Sequence, residues 1–229
     1  MSEREPDWPN ERDLARYSEL CGVDIGTFLS GGGHWIDVGP GKTARAQRAL
    51  LGVAGVSLTA IGPHTRAFPP GIRFVRGSVP EDPDFLADAA RTARLVTDVY
   101  GAVSYAGDPL DALLYEALLL ADDGVLVAFT ELERFGEADA WARVVDFFRV
   151  GLGQAAQFER VSIIGDAVPR PFVCLRVTVR GGPAGGADRL AALRDEAARR
   201  VGAARPGAVL WSSDDGLAQI RRVDYVVTP

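Results

Sequence analysis

HWIDVGPGKTARAQRAL, residues 34–50, runs from a short apolar strand through a Gly-Pro-Gly turn into a run of helix formers. Trp35, Ile36 and Val38 are the strand's apolar residues, Asp37 is the carboxylate set among them, and Lys42–Leu51 reads as the helix that follows. A bare turn between strand and helix lets a ligand approach the main chain closely, so the question is which ligand. A phosphate-binding loop of the form G-x-x-x-x-G-K-[ST] needs glycine where this chain has Ile36. A dinucleotide turn is formally satisfied by Gly39, Gly41 and Ala44, and Arg66 keeps a 2′-phosphate reading open. Asp37 opposes it, because a carboxylate at the end of the first strand repels a pyrophosphate. A ligand that carries its own positive charge removes the conflict.

Outward from that turn, the chain alternates strand and helix. Val56–Ile61, Ile72–Val75, Leu95–Val99 and Val125–Thr130 read as further strands. Phe85–Thr92 and Asp111–Leu120 read as helices, with ADDG as the turn into the last of these strands. This beat predicts an α/β fold with a doubly wound sheet. After a helix over about 138–150, RVSIIG and FVCLRVTVR are strand candidates with no convincing helix between them, which predicts an antiparallel pair at one sheet edge. Residues 1–30 read as a helical lead-in, 31–180 as the main domain, and GGPAGG as a joint. Residues 187–229 read as an appended helix, with Leu190, Leu193, Ala197 and Val201 as its apolar stripe, followed by a hairpin. That appendage is expected to cap a site or to make a homodimer contact.

Composition sets outer limits. A chain of 229 residues with 47% hydrophobic content can bury a full core. No run approaches the roughly 18 apolar residues of a membrane span, and MSEREPDWPNERD is too polar for a signal peptide, so a cytoplasmic protein without a membrane partner is expected. Cys21 and Cys174 match no metal-ligand spacing and read as reduced thiols, and no metal is expected. A formal charge of −6 argues against nucleic acid as a partner.

WIDVGPGK resembles the first motif of class I S-adenosylmethionine-dependent methyltransferases, a hydrophobic strand followed by D-x-G-x-G. LVTDVYGAVSYAGDPLDALLYEALLLADDGVLVAFTE, residues 95–131, resembles that family's fourth strand, next helix and fifth strand. The resemblance covers roughly 30–180 and implies a Rossmann-like seven-stranded sheet, mostly parallel with an antiparallel edge strand, and S-adenosylmethionine as cofactor. It implies that Asp37, Gly39, Pro40 and Gly41 surround the methionine portion, and that Asp98 and Val99 flank the ligand from the fourth strand. Where the family commonly holds the ribose and adenine with acids, this chain has Gly62 and Ser78, with His64 nearby to substitute. Tyr100, Tyr105 and Glu131 are the candidates beside a small-molecule acceptor with an O, N or C nucleophile. The alternative implied by the empty acid positions is a catalytically silent homologue that binds a ligand or partner.

Overall fold

In the computed structural model of the chain, seven strands form among the described residues: β1 (Gly33–Val38), β2 (Val56–Gly62), β3 (Ile72–Arg76), β4 (Ala93–Val99), β5 (Leu120–Glu131), β6 (Ala155–Ser162) and β7 (Pro171–Thr178). The structure describes residues 13–41, 43–62, 68–76, 85, 88–105, 109–131, 144–146, 148–149, 155–162 and 171–178. All seven strands lie in one sheet of order β3-β2-β1-β4-β5-β7-β6. The pairs from β3 through β5 are parallel, and β5 with β7 and β7 with β6 are antiparallel. The order reverses between β1 and β4. In an open α/β sheet that reversal leaves a crevice beyond the strand ends, where ligands bind.

Strand alternation sends successive side chains to opposite faces, and each face has its own core. One face packs Trp35, Leu58, Leu95, Val99, Val127 and Phe129 beneath α1 (Leu14–Cys21), α2 (Ile25–Phe28) and α3 (Arg45–Arg48). The other packs Ile36, Val38, Val96, Leu126 and Ala128 with α4 (Ala102–Tyr105) and α5 (Pro109–Leu119). From Ala112 to Leu119, α5 is buried on every side, which its nearly unbroken apolar sequence requires. α1 begins where the Asp13 side chain accepts from Arg16 N and ends at Gly22 in the left-handed region, so both ends are capped. Among the described residues, no helix is long and apolar enough to cross a membrane.

The antiparallel edge pair forms as the sequence predicts, although β6 begins earlier than RVSIIG because Ala155 already pairs with Thr178. ADDG is not a plain turn. The β4–β5 register passes from Ala93 with Leu120 to Leu95 with Val125, so these residues bulge from a strand that has already started, with Asp123 at φ 62°. The helix expected over Lys42–Leu51 closes only at Arg45–Arg48. Ala44, at φ 48°, starts it in the left-handed region with no side-chain cap, and turns follow it as far as Gly52 at φ 82°. The N-terminal end of the lead-in, the joint and the appended helix and hairpin lie outside the described residues.

Candidate functional site

Asp37 sits next to last in β1, beside Thr97 of β4, and is 1% exposed. The Tyr17 hydroxyl of α1 donates to its Oδ1 at 2.5 Å, and the Thr97 hydroxyl donates to the same oxygen at 2.8 Å. Trp35 Nε1 donates in turn to Thr97 Oγ1 at 2.8 Å, so a buried chain of donors ends on one oxygen of one carboxyl. Oδ2 receives no hydrogen bond from the described residues. Burial pushes the Asp37 carboxyl up to about 7, the Tyr17 and Thr97 bonds pull against that, and the charge of Asp98 adds to it. The Tyr17 phenol is pushed well above its ordinary value, first by burial and then by the Asp37 charge, so it stays a donor.

The turn beyond Asp37 needs its glycines. Gly39 and Gly41 lie at φ 78° and 72°, and Pro40 between them is buried. A Cβ on Gly39 would come within 2.5 Å of Gly101 Cα, and a Cβ on Gly101 within 2.2 Å of Val38 O. The two turns that flank the crevice therefore meet main chain to main chain at its floor, and a ligand has to lie above that contact.

At the end of β4, Val99 is buried in the core, and Asp98 faces the α5 side. Asp98 Oδ1 accepts from Gly101 N at 2.7 Å and Oδ2 from Val103 N at 2.8 Å, so both oxygens cap the start of α4. Burial raises its carboxyl, and a hydrogen bond with Glu116 opposes the rise. Tyr100 is at φ 56°, and its ring lies edge-on to Phe129 and Phe172 with centroids 5.6 and 5.7 Å away. Glu131 closes β5 opposite Phe172, half-buried, while Tyr105 ends α4 with 68% of its surface exposed. Gly62 ends β2, and among the described residues a Cβ there would meet only Pro40 Cδ at 3.7 Å, an ordinary contact. His64 and Ser78 lie outside the described residues.

The structure thus gathers Asp37, Gly39, Pro40, Gly41, Asp98, Val99 and Tyr100 around the β1/β4 crevice. Sequence reasoning missed Tyr17, Thr97 and Glu116. The first two carry no local signal, since each meets Asp37 only through tertiary packing. Glu116 did carry one: it is the lone acid in LLYEALLL.

Sheet order, the reversal between β1 and β4 and the antiparallel edge together define the Rossmann-like fold of class I S-adenosylmethionine-dependent methyltransferases. No family model and no curated protein sequence matches the chain. Among solved structures it is similar to Burkholderia thailandensis 1,6-didemethyltoxoflavin-N1-methyltransferase, bound to 1,6-didemethyltoxoflavin and S-adenosylhomocysteine. That likeness has 15% identity and a TM-score of 0.50, over 76% of this chain and 80% of that one. It is similar also to precorrin-6y C5,15-methyltransferase from Geobacter metallireducens GS-15, with 15% identity and a TM-score of 0.45 over 68% of this chain and 87% of that one. A third is the 16S rRNA (adenine(1408)-N(1))-methyltransferase from Catenulisporales acidiphilia, with 12% identity and a TM-score of 0.44 over 75% of this chain and 95% of that one. Likeness at these identities establishes the fold alone. The third match corrects the expectation that nucleic acid is excluded as a partner, because an rRNA methyltransferase stands among the matched structures. The physical reason is that a net charge sums over the chain and says nothing of the charge beside one crevice.

Proposed function

We propose that the chain binds S-adenosylmethionine in the crevice between β1 and β4 and serves methyl transfer to a nucleophile. Asp37 carries this reading: an enclosed carboxyl, held through one oxygen by two hydroxyls, with no donor on its other oxygen among the described residues and glycines at 39 and 41 in the turn beyond it. The residues fit the methionine end of such a ligand. S-adenosylmethionine, when bound, supplies a methyl group made electrophilic by its sulfonium and presents an ammonium to the protein.

Asp37 would hold that ammonium through Oδ2, a charge-assisted bond of the stronger kind. The main chain of Gly39, Pro40 and Gly41 would lie along the methionine portion, and Val99 would back it from β4. Ribose and adenine would fall toward Gly62, His64 and Ser78, which offer no carboxylate. On the acceptor side stand Tyr100, Tyr105 and Glu131. An in-line displacement gains most from alignment, so in this reading these residues orient the acceptor, and Glu131 would take its proton where one must leave. The acceptor is read as an O, N or C nucleophile. The likeness to a methyltransferase bound to 1,6-didemethyltoxoflavin supports small molecules, and structured RNA belongs in the same screen.

Gly62 favours a second reading, a catalytically silent homologue that keeps the scaffold, because β2 ends without the acid that holds ribose hydroxyls. Titration calorimetry with S-adenosylmethionine and S-adenosylhomocysteine tests the cofactor, and methyl transfer from isotopically labelled cofactor to an acceptor panel tests the reaction. Binding that is weakened by Asp37→Asn supports the cofactor site. Absence of heat at millimolar ligand refutes it, and binding without transfer to any acceptor selects the silent homologue.

A further inference from the structure

Glu116 lies on α5, 0% exposed, and neither of its carboxyl oxygens receives a hydrogen bond from an N–H or O–H donor among the described residues. The group it meets is another acid, the Asp98 carboxyl at the end of β4. Leu113, Leu114, Ala117 and Leu118 around it on the same helix are all buried and apolar. Two carboxylates in contact in such surroundings cannot both be ionised, so the pair holds a proton between them. Its place follows from the remaining bonds. Asp98 accepts one main-chain N–H on each oxygen, from Gly101 and Val103, and these stabilise the anion there. Glu116 has no such support, and burial together with the Asp98 charge raises its carboxyl well above the ordinary range.

We propose that Glu116 is a positioning residue of the cofactor site: as a carboxylic acid it donates to Asp98, and the Asp98 carboxylate holds the turn from Tyr100 to Val103 against the glycine turn after β1. The link to the crevice is steric: the Gly101 main chain lies so close to Val38 and Gly39 that a Cβ on Gly101 would come within 2.2 Å of Val38 O, and one on Gly39 within 2.5 Å of Gly101 Cα. Glu116 acts through Asp98 and touches no ligand. Across the sheet, Asp37 and Cys21 are the other titratable groups among the described residues whose charge couples to Asp98. The proposal rests on the reading of the crevice as a cofactor site for its functional consequence, and not for the state of the carboxyl pair.

The test uses the full chain, wild type and the variants Glu116→Gln and Glu116→Leu. Carboxyl carbon NMR shifts across pH, amide exchange at Gly101 and Val103 without ligand, and calorimetry with S-adenosylhomocysteine are the readouts. The Glu116 carboxyl carbon is expected to keep its protonated shift at pH 7. Glu116→Gln, whose amide also donates, should leave exchange at Gly101 and Val103 and ligand affinity within about threefold of wild type. Glu116→Leu should speed that exchange and weaken the ligand by about tenfold, as expected when a hydrogen bond to a charged group is lost. An ionised Glu116 at pH 7 overturns the proposal, as does a folded Glu116→Leu protein with unchanged exchange and affinity. Should Glu116→Leu fail to fold, the other two proteins still decide: a protonated wild-type shift with unchanged Glu116→Gln exchange supports the proposal, and an ionised wild-type carboxyl or faster Glu116→Gln exchange overturns it. A wild-type protein that gives no heat with S-adenosylhomocysteine refutes the cofactor reading, whereas the shift and the exchange are measured without ligand.

Discussion

Replacing Asp37 with asparagine should stabilise the protein and weaken its ligand in the same step. In the folded chain the Asp37 carboxyl is raised from 3.8 to about 7, chiefly by burial. The sign follows directly: the folded state binds this proton more tightly than the unfolded state, so stability falls as pH rises from about 4 to about 7 and levels off above that. At about 1.36 kcal/mol per pKa unit, the ionised Asp37 costs on the order of 4 kcal/mol at pH 8. Asparagine has nearly the same shape, and its Oδ1 can accept both the Tyr17 and the Thr97 hydroxyls. Urea unfolding should therefore find Asp37→Asn more stable than wild type, with the gap widening by about 2–3 kcal/mol between pH 5 and pH 8. Glu116 and Asp98 are raised as well, so both proteins keep some slope, and only the difference between them reports on Asp37.

The binding arm has the opposite sign. A ligand ammonium favours the ionised carboxylate, so wild-type affinity for S-adenosylhomocysteine should strengthen as pH rises toward 7, with proton release on binding below that pH. In Asp37→Asn this dependence should vanish, and affinity at pH 8 should be about tenfold to a hundredfold weaker. Calorimetry in buffers of different ionisation enthalpy measures both the affinity and the proton count. A stability gap that stays constant from pH 5 to pH 8 would refute the argument that burial governs this carboxyl. An unchanged affinity would refute its role in holding a cation.

Three further substitutions probe the same constellation. Tyr17→Phe removes one of the bonds that oppose the rise of Asp37, so the midpoint of the affinity–pH curve should move upward, and urea unfolding above pH 7 should show a loss of about 1.5–3 kcal/mol. Thr97→Val takes a donor from Asp37 and strands the buried Trp35 indole N–H; a loss of about 1–3 kcal/mol should persist at pH 5, where Asp37 is protonated, and its absence would show that the indole finds another acceptor. Gly101→Ala puts a Cβ within 2.2 Å of Val38 O, a main-chain clash that no rotamer relieves, so urea unfolding should show a loss of about 1–3 kcal/mol and calorimetry a weaker ligand.

How far these features can be read in the sequence depends on how local their causes are. The strands from β1 to β4 and the second half of β5 are legible because each is a short, mainly apolar run, and the edge pair because no helix-forming stretch separates its two runs. The shortened α3 is not legible, since its composition suits a longer helix and only the left-handed Ala44 shows where the turn delays it. Asp37 stands out as an acid before a bare turn, but its protonation does not, because Tyr17 lies 20 residues away and Thr97 60 residues away. Asp98 is read from the sequence only as a residue at the ligand's flank, and its oxygens also accept from the main chain of Gly101 and Val103. That spacing of Asp with Gly three residues on is a local capping pattern and could have been read as one.

Two acids near the ends of adjacent strands would ordinarily work against each other, and the fold treats them differently. Asp37 lies beside Thr97 and Val38 beside Asp98, so alternation sends the two carboxyls to opposite faces of the sheet. Separation weakens their repulsion without removing it, since the charge of Asp98 still raises Asp37. On the α5 face, Asp98 has main-chain donors on both oxygens and Glu116 beside it as the acid form, so only one negative charge stands there. Were Glu116 ionised too, a second anion would push Asp37 further toward its neutral form and away from holding a cation near neutral pH. The proton on Glu116 thus does two things at once: it fixes the turn that forms one side of the crevice, and it limits the field felt by the acid on the other side. An enclosed carboxyl close to its own titration point is costly for a fold to keep, and a cation bound at Oδ2 is what would offset that cost.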